Sequence, residues 1–207
     1  MSLRFAPFVV ALAALASAVM VLPQRVLAES GKWIGPPSTL PRGQRGERPR
    51  NLDFLFEALK IAPDAASAKA IEDRIWAVWL NSGSDTCNLL MTRVKTEIDA
   101  EKLDRAIQLL DAVIELKPDY IEAWNRRATI FYMKKQYGQA LADIRQILAR
   151  EPRHFGALAG LGTILQDIGE DKPALAAFRR ALTVDPHLEG IAEKVKTLTE
   201  KVEGRDI

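Results

Sequence analysis

Few side chains in this sequence have the type and spacing to do chemistry: His154, His187, Cys87, a Gly-Leu-Gly at 160–162, and scattered carboxylates. Each histidine follows closely on a proline, Pro152 or Pro186, and neither has an Asp or Cys at a spacing that a helix would bring to its ring. Both are expected at the surface of turns, acting neither as base nor as ligand. Gly160-Leu161-Gly162 falls inside an apolar helical run and not after a strand, which excludes a phosphate-cradling loop. Cys87 stands at a helix start, a place that can activate a thiol, but a buried inert thiol is the commoner case. A single cysteine in 207 residues excludes a disulfide framework and a Cys-rich zinc site, and two histidines leave no stock for a multi-His centre. The sequence therefore specifies no catalysis, no metal and no cofactor, and the expected activity is binding.

What positions these residues begins with charge. The net charge of +2 is too small for a nucleic-acid binder. Residues 1–28 contain Arg4 and Arg25 and no acid, so residues 29–207 are neutral as a whole, with a basic stretch at 29–50 offset by −3 beyond it. Arg4 precedes an uncharged run from Phe5 to Leu22, Pro23 breaks it, and Val26-Leu27-Ala28 offers an exit of small and branched residues. That order predicts a secretory signal peptide cleaved after Ala28, and hence a periplasmic location. An uncleaved anchor facing the periplasm is the alternative, because an 18-residue run lies at the short end of what spans a bilayer. Residues 29–50 contain four Pro and four Gly without a helical or strand period, which predicts a disordered linker.

A 34-residue period organises the chain after residue 86. Pro118, Pro152 and Pro186 share that spacing, as do Ala106, Ala140 and Ala174, then Leu110, Ile144 and Phe178, and then Val113, Ile147 and Ala181. Leu90, Trp124 and Leu158 keep it in the first half of each unit, with Val94, Ala128 and Gly162. The units run 87–120, 121–154 and 155–188, and each predicts two helices. Trp124, Ala128 and Phe131 lie on one helical face, Gly138 marks a turn, and Ala140, Ile144, Ile147 and Leu148 form a second face. Asp119 and Glu122 predict a capping box, and Asp171 with Pro173 predicts the start of the last unit's second helix. Ala128 or Gly162 is expected to face Ala140 or Ala174 where the two helices approach. Residues 51–86 fit the period poorly, with Pro63 in the first half, Glu72 at the small-residue column, and Trp76 and Trp79 on the columns of Phe178 and Ala181. They are expected to form a divergent helical hairpin that caps the N-terminal end. Leu188, Ile191, Val195, Leu198 and Val202 line one face of a helix within 189–207, the expected C-terminal cap.

These columns resemble the tetratricopeptide repeat family, whose 34-residue unit carries a Trp, Leu-Gly, Tyr, Ala, Phe, Ala, Pro signature. Leu158, Leu161, Gly162, Leu165, Ala174, Phe178, Ala181 and Pro186 match all eight positions, whereas Arg93, Glu97 and Arg127 depart from them. The resemblance implies an all-α, right-handed solenoid and a concave groove lined by first-helix positions. The implied lining is Asn88, Met91, Lys95 and Ile98, then Glu122, Asn125, Thr129 and Tyr132, then Gly156, Ala159, Thr163 and Gln166. Arg126, beside Asn125, is placed to pair a carboxylate. The amides of Asn88, Asn125 and Gln166 suit a bound backbone. Glu122 and Gly156 stand where a clamp for a terminal carboxylate would need cations or amides, so no such clamp is expected. The implied function is an exported adaptor for a protein or peptide partner in cell-envelope assembly or integrity, similar to small exported repeat proteins of Gram-negative bacteria, with no nucleic acid or metal. Self-association through the solenoid ends or Cys87, and a membrane-anchored assembly factor, are the alternatives. Replacing Ala140 or Ala174 by Leu should overpack the hairpin and cost about 1–3 kcal/mol, read as a lower urea midpoint; an unchanged midpoint would place these alanines outside the contact.

Overall fold

The computed structural model describes residues 52–204; the expected leader at 1–28 and linker at 29–50 lie outside the described residues. Among the described residues there are nine α-helices and no strand. Six of them form the repeats: α3 (Asp85–Asp99) with α4 (Leu103–Leu116), α5 (Ile121–Met133) with α6 (Tyr137–Arg150), and α7 (Phe155–Asp167) with α8 (Asp171–Val184). They are preceded by α1 (Leu52–Lys60) and α2 (Ala65–Leu80) and followed by α9 (Ile191–Val202).

The three tight turns within the pairs are built alike. Glu101, Lys135 and Gly169, 34 residues apart, all take the left-handed conformation, with φ of 58°, 58° and 85°. In each, the next amide reaches back five residues to the preceding helix, as Gln136 N–H does to the Phe131 carbonyl at 2.8 Å. This C-terminal motif satisfies a carbonyl that the helix leaves free, and a glycine takes the required φ without strain. Only the last unit supplies that glycine. Gly138 is not the turn residue: it lies in the first turn of α6, and Lys135 makes the reversal.

The small columns pack as the period predicts, with Ala106, Ala140, Ala174, Ala128 and Gly162 all buried. At Gly162 the close approach includes the Phe178 ring, since a Cβ there would stand 2.6 Å from it. The expected capping box at Asp119 and Glu122 does not form. Tyr120 is the N-cap of α5 without a side-chain cap bond, and Glu122 is buried. At the other end Ile191 and Leu198 of α9 are buried, with Leu188 just before it and Val195 and Val202 packed alongside, so the last repeat is closed as expected. Arg179 clamps Glu203 through two bonds of 2.7 and 2.9 Å, and Lys201 pairs with Asp171 at 2.5 Å.

The N-terminal hairpin forms, but not in the expected place. Its core residues Leu55, Phe56, Leu59, Ile75, Trp76 and Trp79 share one cluster with Phe155, Leu158, Phe178 and Val184, far along the chain. The outer face of the 87–120 unit is left open, with Leu89 56% and Leu116 60% exposed, whereas Ala123 and Ala157, at the column of Leu89, are fully buried. Two indoles at positions that elsewhere hold Phe178 and Ala181 leave no room for regular stacking, so the hairpin buries them across the later units. Gly162→Ala is expected to cost about 1–3 kcal/mol in urea denaturation, because the Phe178 ring is buried and cannot swing aside; a neutral effect would contradict the close approach.

Candidate partner-binding surface

The candidate surface is best understood from the turns between units, because α2 crosses all three. The Tyr120 hydroxyl, just after Pro118, donates to the Leu80 carbonyl at 3.0 Å. Trp79 lies flat on His154, just after Pro152, with ring centroids 4.0 Å apart and planes 5° from parallel. Trp76 meets Phe155 edge to face at 5.5 Å. Beyond Pro186, His187 Nε2 bonds the Ala62 carbonyl at 3.0 Å, and Glu72 meets Asp185. Arg153 ties α1 to the same edge, pairing with Asp53 at 2.7 Å and covering the Phe56 ring at 4.1 Å. The hairpin is thus a strap along the edge where each second helix hands over to the next first helix, and it also touches α5.

The strap changes what the first helices can offer. His154 is fully buried and is not a surface turn residue. The Ala157 amide donates to its Nδ1 at 3.1 Å, making it the cap of α7. With Nδ1 accepting, the imidazole proton sits on Nε2 and points at Glu122 Oε1, 3.2 Å away. Glu122, also fully buried, takes both its remaining contacts from Asn125 Nδ2 at 3.3 Å. Glu122, Asn125 and His154 therefore form an internal polar network beneath Trp79. Thr163 and Met91 are buried as well. Tyr132 is buried with its hydroxyl donating to Asp167 at 2.9 Å, and burial raises its pKa. Gly156 and Ala159 are buried too.

The remaining predicted residues stay within a partner's reach. Asn88 is exposed, its Oδ1 taking the Ser82 hydroxyl at 2.7 Å, and Lys95 is exposed in an i,i+4 pair with Asp99 at 2.6 Å. Thr129, Gln166 and Ile98 are half-buried; Thr129 bonds the Asn125 carbonyl, and Gln166 accepts from Lys194 at 3.5 Å. Arg126 is half-buried and forms no ion pair among the described residues, and its Nε is buried without a hydrogen-bond partner. Cys87 is buried, which keeps its thiol from solvent.

Sequence reasoning missed His154, the Trp79 stack and one ion network. Arg127, a departure from the repeat pattern, makes a two-bond fork to Asp143 at 2.9 and 2.7 Å and reaches Asp111 at 2.6 Å, joining α4, α5 and α6. Burial raises the Asp143 pKa while Arg127 holds it down. The signal was present: an Arg in a Leu column with an Asp 16 residues on, which is the distance across one hairpin.

An all-helical stack of 34-residue pairs, strapped on one edge and carrying a polar first-helix surface, defines a repeat-type interaction domain. The chain belongs to the tetratricopeptide repeat family. The family's profile matches residues 91–143 and 134–188. A TPR repeat-containing protein of Rhizobium etli is 41% identical over 155 residues, covering 75% of this chain and 76% of the relative. Sperm-associated antigen 1 of Rattus norvegicus is 27% identical over 93 residues, which span only 10% of that protein. Among solved structures, the Arabidopsis OM64 TPR domain superposes with a TM-score of 0.53 at 19% identity, over 57% of this chain and 98% of that one. The first TPR domain of Spaghetti, bound to an HSP90 peptide, gives 0.54 at 15% identity, over 56% and 93%. MamA of Desulfovibrio magneticus gives 0.52 at 16% identity, over 73% and 83%. Domains of this family in general mediate protein–protein interactions and serve as binding scaffolds, not as enzymes. Trp79→Ala is expected to lower stability by about 3–5 kcal/mol in urea denaturation; a loss below about 1 kcal/mol would mean that the strap is not anchored through this ring.

Proposed function

We propose that this chain is an exported scaffold that holds a protein or peptide partner of the cell envelope on its first-helix surface, with Arg126 as the charged anchor. The observation that carries the site is the Arg126 guanidinium, held half out of water with a buried Nε that no described group satisfies. An unpaired, partly desolvated guanidinium gains most from a carboxylate, which takes its donors in a fork. Lys95 lies on α3 in an exposed pair that a second acid can compete for. The favoured partner is accordingly an acidic segment. Support for export comes from Arg4, the apolar run and the small-residue exit at Ala28, an order that secretory leaders share.

One observation favours a second reading, self-association. Leu89 and Leu116 stand exposed on the open face of the 87–120 unit, where later units receive a neighbouring pair. Sedimentation of the wild type and Leu89→Asp separates the readings: a concentration-dependent dimer lost in the variant supports the second. The scaffold reading is tested by a crosslinking pull-down from envelope extract, with residues 29–207 and their Arg126→Glu variant as baits. A partner lost with the variant, whose melting is unchanged, is the expected result, and equal capture by both baits would remove Arg126 from the site. Mass spectrometry of the mature protein is expected to find Glu29 first; an N-terminus retaining 1–28 would favour the anchored alternative.

A further inference from the structure

We infer that the α1–α2 strap is a proton-dependent latch, closed by a proton shared between Glu72 and Asp185 and loosened when that proton is lost. Opening would uncover the Glu122–Asn125–His154 network that the strap now covers.

The geometry lies at the far end of the strap. Asp185, the C-cap of α8, is fully buried, and its Oδ1 accepts the His187 amide at 3.0 Å. Its Oδ2 is buried with no conventional donor. Glu72 on α2 is also buried, and its carboxylate faces Asp185 closely enough for its charge to raise the Asp185 pKa. Two ionised carboxylates so placed repel, and neither offers the other a donor, so a bond between Glu72 and the unpartnered Asp185 Oδ2 requires one proton. The surrounding charges do not relieve the pair. On α2, Lys69 reaches Glu72 at 3.1 Å but divides its charge with Asp73, also at 3.1 Å. Asp64 caps the start of α2 on the Ser67 amide. On the α8–α9 turn, His187 turns its Nε2 to the Ala62 carbonyl and gives its amide to Asp185, whose pKa its imidazole charge also lowers, though by less than burial and Glu72 raise it. The nearest charged groups of the preceding turn, Glu151 and Arg153, are paired with each other at 2.9 Å. No lysine or arginine pairs with Asp185 among the described residues, and its one cationic neighbour is His187.

Burial first, and then the charge of Glu72, push the Asp185 carboxyl up to about 7. With the strap released into water, Asp185 returns toward the ordinary carboxylate range near 3.8. The closed state then holds a proton that the open state has given up at any pH between those values. Closure is therefore fully supported below the ordinary range, weakens as pH rises through it, and reaches a constant, weaker level above about 7. Over that window the opening constant grows by up to about tenfold per pH unit, the limit for one linked proton.

Hydrogen–deuterium exchange of the full chain at pH 5, 6, 7 and 8, with each rate divided by the intrinsic rate at that pH, reads the opening directly. Amides of α2 should lose protection from pH 5 to 7 by up to about tenfold per unit and then level off, while α6 amides show no such slope. Asp185→Asn keeps the size and neutral form of the protonated side chain and should flatten the α2 profile. Should that variant fail to fold, Glu72→Gln, which removes the facing charge, should reduce the slope in its place. A flat wild-type profile, or the wild-type slope retained in a folded variant, would overturn the latch.

Discussion

The flat stack of Trp79 on His154 is the contact on which the rest of the arrangement depends. It brings together residues 75 positions apart and joins two elements that the repeat pattern does not relate. The indole needs a large apolar seat, and the column it occupies in the repeat frame holds Val113, Ile147 and Ala181, all fully buried. No regular neighbour could accept a Trp there without being driven apart. Moving the hairpin to the edge solves the packing problem and creates another, because the surface it lands on is polar. Glu122, Asn125 and His154 are then removed from water together and must pair with one another, with Asn125 Oδ1 left without a partner among the described residues.

That requirement explains why polar residues recur within this core. His154 uses one ring nitrogen to cap α7 and the other to meet Glu122, so a single side chain caps a helix and gives a buried acceptor its donor. Arg127 performs a similar service between three helices, where a Leu would have packed only with two. Buried ion pairs of this sort are seldom a large source of stability, because desolvation opposes the attraction. Their geometry is demanding, however, and a helix that slides by one residue loses both bonds of the fork. Register is what these networks supply, while the apolar columns supply the stability.

The regular part of the molecule was legible because it repeats. Ala140 or Phe178 alone predicts nothing, but the same residue class at 34-residue intervals leaves only one way to bury it, and the helix pairs and closing α9 follow. Local signals were weaker. Gly138 looked like a turn, yet the turn residue is Lys135, whose left-handed φ of 58° leaves no mark in its chemistry. Asp119 and Glu122 had the spacing of a capping box, but Glu122 found a stronger partner in His154, which lies 32 residues away. The first-helix surface was legible only in part. Position within a repeat tells which way a side chain points, and it says nothing about whether another segment lies across it. Glu122 and Asn125 are buried with His154 beneath Trp79, and Thr163 is buried as well. Asn88 and Lys95 are exposed and Arg126 is half-buried, so these three stay within a partner's reach.

The strap also sets a length. Its second helix has 16 residues, or about 24 Å at the usual rise, and its bonds meet the turns after Pro118, Pro152 and Pro186 in sequence. Open solenoids gain and lose units readily, because each unit touches only its neighbours. Here one rigid rod spans three successive junctions, so a unit inserted between α4 and α7 would carry His154 and Asp185 out of register with Trp79 and Glu72. The rod works as a ruler. It fixes the number of units between the junctions it bridges, in a fold whose size is ordinarily free to drift.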